Sequence, residues 1–191
     1  MFSQLRPALV LLVALHVLTG LVYPLVVTGV AQVVWHDKAN GSLMAVDGKV
    51  RGSALIGQPF SAPAYFWSRP SATSPGPYDA SGSAGSNLGP TNPALLSAVH
   101  DRVAALRQAN PGPAGPIPVD LVTTSGSGLD PDISVAAALV QVDRVAQARS
   151  LRPETVRRLV QSHSQGRTLG FLGEPRVNVL ALNIGLDRLR R

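Results

Sequence analysis

The apolar positions of this chain fall into two regimes. From Pro7 to Trp35 the sequence PALVLLVALHVLTGLVYPLVVTGVAQVVW carries no Asp, Glu, Lys or Arg. Beyond Trp35, apolar residues recur at the spacings of helices and strands and are interrupted by Gly- and Pro-rich loops. A helix rises about 1.5 Å per residue and a bilayer's hydrocarbon core is about 30 Å thick, so about twenty apolar residues suffice to span it. The first run is longer than that, which predicts a transmembrane helix over residues 7–35 behind a short tail, residues 1–6. A cleavable signal peptide is the competing reading: MFSQLR is a short basic start, and Gly29-Val30-Ala31 resembles a small-x-small cleavage site. The apolar part of a signal peptide is only about 7–15 residues long, so the run favours a retained anchor.

Within the run, His16, Gly20, Pro24, Thr28 and Gln32 recur at every fourth position, with Tyr23 beside Pro24. Residues four apart share a helix face, so these non-aliphatic residues form one slowly winding stripe. Small residues let helix backbones approach closely, and polar ones hydrogen-bond across the contact. The stripe is therefore a candidate packing face for other membrane helices. A lone anchor with incidental small residues is the alternative. The flanking charges, Arg6 on one side and Lys38, Lys49 and Arg51 on the other, do not set the orientation.

The remainder, residues 36–191, has the length of one ordinary domain and reads as mixed α/β (α+β). Ser42–Val46 and Lys49–Gln58 are β-like stretches joined at Asp47-Gly48, a hairpin signal, the second made less regular by Gly52 and Gly57. Phe60, Tyr65, Phe66 and Trp67 bring most of the domain's aromatic area, as a core anchor beneath a loop or as a stacking site. A long polar loop, Thr73–Asn92, ends in Asn92-Pro93, the cap and first residue of a helix over Pro93–Ala109. Leu95, Leu96, Val99, Val103 and Leu106 are that helix's predicted apolar face, and Asn110-Pro111 its stop. After the linker PGPAGPIP, VDLVTT reads as a short strand. A second helix is predicted to start near Ser134, a third near Pro153, and VNVLALNIGLDRLRR as a final helix whose first residues alternate like a strand.

Composition removes several function classes. There is no cysteine, so disulfides and thiolate metal sites are excluded. The net charge is +6, but the bases are dispersed apart from Arg157-Arg158 and Arg188, Arg190 and Arg191, and no aromatic residues interleave with them. Nucleic-acid binding is not expected. No HExxH motif or tight His/Asp cluster points to a metal. GSAGSNLGP is glycine-rich but lacks the lysine of a phosphate loop. His100-Asp101 sits on a helix, where neighbours point about 100° apart, a poor geometry for an orienting hydrogen bond. Asp130 and Asp132 could act as an acid–base pair, although their place before a helix favours capping and dipole stabilisation. Polar groups free to meet a partner or ligand are Arg69, Ser71, Ser86, Asn87, Thr91, Asn92, Asp130, Asp132 and Gln141, each with local turn bonding as its plainer role. This reading favours an accessory subunit; a membrane-anchored extracytoplasmic hydrolase and a small-solute binding module are the alternatives.

Seven segments, TGLVYPLVVTGVAQ, GSALIGQPF, YFWSRPSA, GSNLGPTNP, PVDLVTTSGSGLDPDIS, RVAQARSL and LGFLGEPRVNVLALN, cover nearly the whole chain. In that order they resemble the C subunit of the Kdp-type potassium-transporting P-type ATPase. That family usually has proline at the positions of Val135 and Asp143. The resemblance implies a non-catalytic subunit of an inner-membrane potassium-uptake complex in bacteria. Its partners would be a channel-like potassium-translocating subunit, an ATP-hydrolysing P-type subunit and a small peptide subunit, within membrane lipid. It further implies a cytoplasmic N-terminus and an extracytoplasmic soluble domain. The role implied is that of a catalytic chaperone that stabilises the complex and raises the pump subunit's affinity for ATP, with ATP as a shared ligand.

Overall fold

The computed structural model of the chain describes residues 2–110 and 115–189. Residues 1, 111–114 (Pro111 of the predicted helix stop and the first half of the linker), 190 and 191 lie outside the described residues. The chain divides into two compact units, Met1–Leu43 and Met44–Arg191.

The first unit is dominated by helix α1, Leu5–Val34, long and apolar enough to cross a membrane. All its large apolar side chains are exposed, a surface that hydrocarbon satisfies and water does not. The helix is not uniform. Pro24 has no N–H to give the Gly20 carbonyl, and its ring crowds that carbonyl. The backbone answers with a π turn over Leu18–Val22, where the Tyr23 N–H reaches back to the Leu18 carbonyl. A single turn, α2 (His36–Ala39), follows Trp35.

A hairpin of β1 (Leu43–Val46) and β2 (Lys49–Ser53) follows, all of it but Leu43 in the second unit. Asp47 and Gly48 turn it with φ of 52° and 73°, the paired positive values of a type I′ turn. The second strand stops at Ser53 instead of reaching Gln58. Residues 54–92 carry no helix or strand. Helix α3 (Pro93–Ala109) starts as its sequence signals, with the Asn92 side chain accepting the Ala94 N–H. Of its predicted apolar face only Leu106 is buried, Val99 and Val103 pack partly on the core, and Leu96 stays exposed.

The segment predicted as a strand in VDLVTT is instead a 3-10 turn, Val119–Leu121. The Val122 and Thr123 N–H groups turn back to the Val119 carbonyl. The N–H of Ser134, which such a strand would have needed, goes to the Asp120 carboxylate at 2.7 Å. Next come β3 (Asp132–Ser134), α4 (Val135–Val140), α5 (Val142–Arg149), α6 (Pro153–His163), β4 (Ser164–Gln165), β5 (Arg176–Asn178) and α7 (Val179–Arg188). The predicted second helix is thus two, parted at Gln141. The final segment is strand and then helix, as its mixed pattern implied.

The small sheet runs β3-β5-β4, antiparallel, with Ile133 opposite Val177 and Ser164 opposite Val177. Val156 and Val160 of α6, Leu182 and Leu186 of α7, and Val142 and Val145 of α5 join Ile133 and Val177 in one core. Phe66, fully buried, enters that core from the irregular segment.

Candidate functional site

The residues of the predicted stripe all lie on α1. His16, Gly20, Tyr23, Pro24 and Thr28 are exposed, and Gln32 is half-buried. Two polar groups on the helix are locally satisfied: the His16 ring lies 2.8 Å from the Leu12 carbonyl, and Thr19 donates to Leu15. Gln32 forms an amide pair with Asn40, which also donates to the His36 carbonyl. A repeat of four drifts by about 40° per step on an α-helix. The wider π turn takes more residues per revolution and reverses part of that drift, so the residues either side of it stay closer to one face.

In the soluble unit, three of the predicted residues meet at a loop–loop junction. Arg69 pairs with Asp130 at 2.8 Å and donates to the Thr124 carbonyl. Ser71 donates to the Gly128 carbonyl at 2.7 Å and accepts the Tyr78 N–H. Tyr78 in turn donates a short hydrogen bond to the Arg69 carbonyl, and burial pushes its phenol up. Gly128 is required here: its φ is 69°, and a Cβ would lie 2.5 Å from the Ala84 carbonyl oxygen. Asp132 stands apart from the junction, paired with Arg176 at 3.0 Å. Its carboxyl is raised, first by burial and then by the Asp130 charge. Neither aspartate caps α4. Ser134 does so, accepting the Ala137 N–H, because the cap must directly precede the first turn.

The remaining predicted residues are dispersed. Asn92 caps α3; Ser86, Asn87 and Thr91 lie in the loop before it, with Asn87 at a positive φ. Gln141 is fully buried. His100 and Asp101 approach only to 3.6 Å and are both exposed. Among the described residues there is no group of three His, Asp or Glu side chains that could hold a metal ion.

The most organised polar structure was not anticipated. Residues 63–65 turn, with the Tyr65 N–H reaching back to the Ala62 carbonyl, and Phe66 and Trp67 follow; the whole segment is held by side chains. Asn183 binds the N–H and carbonyl of Phe66, and Gln141 those of Trp67. The buried guanidinium of Arg144 donates to the Pro63 and Tyr65 carbonyls, Gln141 and Asn110, and stacks on the Trp67 ring at 4.2 Å. Burial brings its pKa down to about 10. Arg149 donates to the Ala64 carbonyl, pairs with Asp187 at 2.8 Å and lies over the Tyr65 ring. The signal was present in the sequence: Gln141, Arg144 and Asn183 are polar residues at positions where the helical period calls for apolar ones. The aromatic segment is therefore a core anchor.

This network organises the domain, and comparison with known proteins decides the family. The family model described as K+-transporting ATPase, c chain (KdpC) matches residues 5–188. The chain belongs to the KdpC family. It is 59% identical over its full length to a potassium-transporting ATPase KdpC subunit of Paraburkholderia xenovorans. It is also 62% identical to one of Sorangium cellulosum and 57% to one of Methylococcus capsulatus, with both chains covered end to end. As a KdpC chain it is a subunit of a potassium-transporting ATPase and part of the potassium uptake complex. Val135 and Asp143, where the sequence resemblance led to an expectation of proline, both fall in the first turn of a helix, where proline is tolerated.

Proposed function

We propose that this chain is a non-catalytic, regulatory subunit that holds the pump complex together and biases its conformational cycle. In this reading α1 packs by its His16–Gln32 stripe against membrane helices of a channel-like potassium-translocating subunit and a P-type ATP-hydrolysing subunit. A small peptide subunit shares the same complex, and the soluble unit stands on the extracytoplasmic side of a bacterial inner membrane. The observation that carries the reading is the membrane-length helix joined to a domain whose buried polar groups bind its own backbone.

A higher ATP affinity of the pump subunit follows without any nucleotide contact here. A subunit that binds one pump conformation more tightly than another shifts their populations by that difference, and linkage passes the shift to the nucleotide site. ATP as a ligand shared with this chain would need groups that hold phosphate, and the glycine-rich loop GSAGSNLGP has no lysine to do so. The test is deletion of the chain followed by potassium-limited growth and purification of the remaining subunits in mild detergent. Loss of high-affinity uptake together with a loosened complex is expected. Normal uptake by an intact complex would overturn the proposal.

A further inference from the structure

The soluble unit has a cleft of about 430 Å³ between the β1–β2 hairpin, the aromatic segment and α7. Its floor is apolar: Leu180 and Ile184, both nearly buried, with Phe60 and Tyr65 forming one wall as a tilted ring pair 5.6 Å apart. Arg51 and Arg188, both exposed, also line it. The other polar groups lining it are engaged. Asn183 holds Phe66, the Gln58 amide donates to the Arg51 carbonyl, and Asp187 accepts from Arg149 and Tyr65. What remains to recognise a ligand is positive charge beside apolar surface.

That combination excludes most small solutes. Sites for such molecules present converging polar groups that fix orientation, and here those groups are committed to the fold. A polypeptide surface needs only a carboxylate beside an aliphatic side chain, which matches both the charge and the floor. An acyl chain would require a long apolar slot, which Gln58 and Asn183 interrupt.

We propose that this cleft is the docking site for an acidic segment of a partner subunit of the pump. A partner carboxylate pairs with Arg51 and Arg188, and a neighbouring aliphatic side chain covers Phe60 and Ile184. The proposal rests on the accessory-subunit reading above and names the partner's chemistry.

The experiment places a photo-crosslinking residue at position 46, which lines the cleft, and another at Arg157 on the exposed face of α6 as a control, in the complete complex. The expected result is an adduct from position 46, and not from 157, with a partner-subunit peptide containing Asp or Glu. Arg51→Glu combined with Arg188→Glu lowers its yield on the order of tenfold, as like charges replace the pair. The same charge reversal with Val46 in place lowers the chain's retention on the complex at raised ionic strength, which guards against a folding defect from the probe. Adducts with lipid alone, no protein adduct from a complex that co-purifies normally, or a yield unaffected by charge reversal would each overturn the proposal. Failure of the unaltered chain to co-purify with a pump would instead overturn the accessory-subunit reading, and this proposal with it.

Discussion

Asn183 and Gln141 hold two successive residues of one backbone stretch: Asn183 bonds to both backbone groups of Phe66, at 2.9 and 3.0 Å, and Gln141 to both of Trp67, at 2.7 and 3.2 Å. Each amide supplies a donor and an acceptor, which no carboxylate can. Asn183→Asp should leave the Phe66 carbonyl without its donor and bury a charge, costing about 2–3 kcal/mol of soluble-unit stability. Asn183→Gln should not restore it, because the longer arm misplaces both groups. Chemical denaturation of the purified chain reads both.

Arg144 should be the most sensitive charged position. The residue is 5% exposed, and its guanidinium faces backbone carbonyls, an amide from each of Gln141 and Asn110, and an aromatic ring, with no carboxylate among its bonded partners. Arg144→Ala strips the Pro63 and Tyr65 carbonyls of their donor and should cost about 3 kcal/mol or more. Arg144→Lys should recover little, since an ammonium lacks the planar fork that reaches both sides. A Lys variant as stable as the native chain would show that the charge, and not the fork, is what the site needs.

The pH dependence of folding should carry a contribution from Asp132. Its carboxyl is raised above the ordinary value of 3.8 by burial and the neighbouring Asp130, so the folded state binds its proton more tightly than the unfolded chain. The stability it contributes is fully present below the unfolded value and is lost as pH rises through the folded one. Asp132→Asn, which resembles the protonated form, should flatten the stability profile on the acid side. At neutral pH it should change stability by less than about 1 kcal/mol, because the pair with Arg176 is partly solvated. Melting curves from pH 3 to 8 provide the comparison.

In α1, Pro24→Ala would give the Gly20 carbonyl an N–H partner and allow the π turn at Leu18–Val22 to close. The residues after it would then rotate relative to His16, dividing the stripe. Weaker co-purification of the chain with its complex is expected, although the substituted helix stays apolar and long enough to insert. Replacing the whole run by leucine should detach the chain altogether. Unchanged co-purification of both variants would reduce α1 to an anchor.

Local signals were read directly from the sequence. The Asp47-Gly48 turn, the Asn92-Pro93 helix start and the apolar span each depend on a few adjacent residues, and each stands as expected. Long-range relations were not legible in the same way. VDLVTT has the composition of a strand, yet Asp120 caps the edge of β3 and no neighbouring strand accepts the segment. Asp130 looked like a helix cap until Arg69, far away in sequence, was placed beside it. Gln141 was singled out as a polar group free to meet a partner, whereas burial turns it inward to hold Trp67. Periodicity assigns a residue to a face but does not say which backbone will lie against it.

The chain's two tryptophans fall one in each unit. Trp35 ends the membrane helix and is exposed, while Trp67 packs on the core under the Arg144 guanidinium. Intrinsic fluorescence is therefore a two-channel reporter already built into the protein. A Trp35→Phe chain would have its one tryptophan under the Arg144 guanidinium, so loss of that stack could be followed optically as the soluble unit melts. A Trp67→Phe chain would leave a single emitter at the end of the apolar helix, and its emission wavelength would register how deeply that end sits in a bilayer.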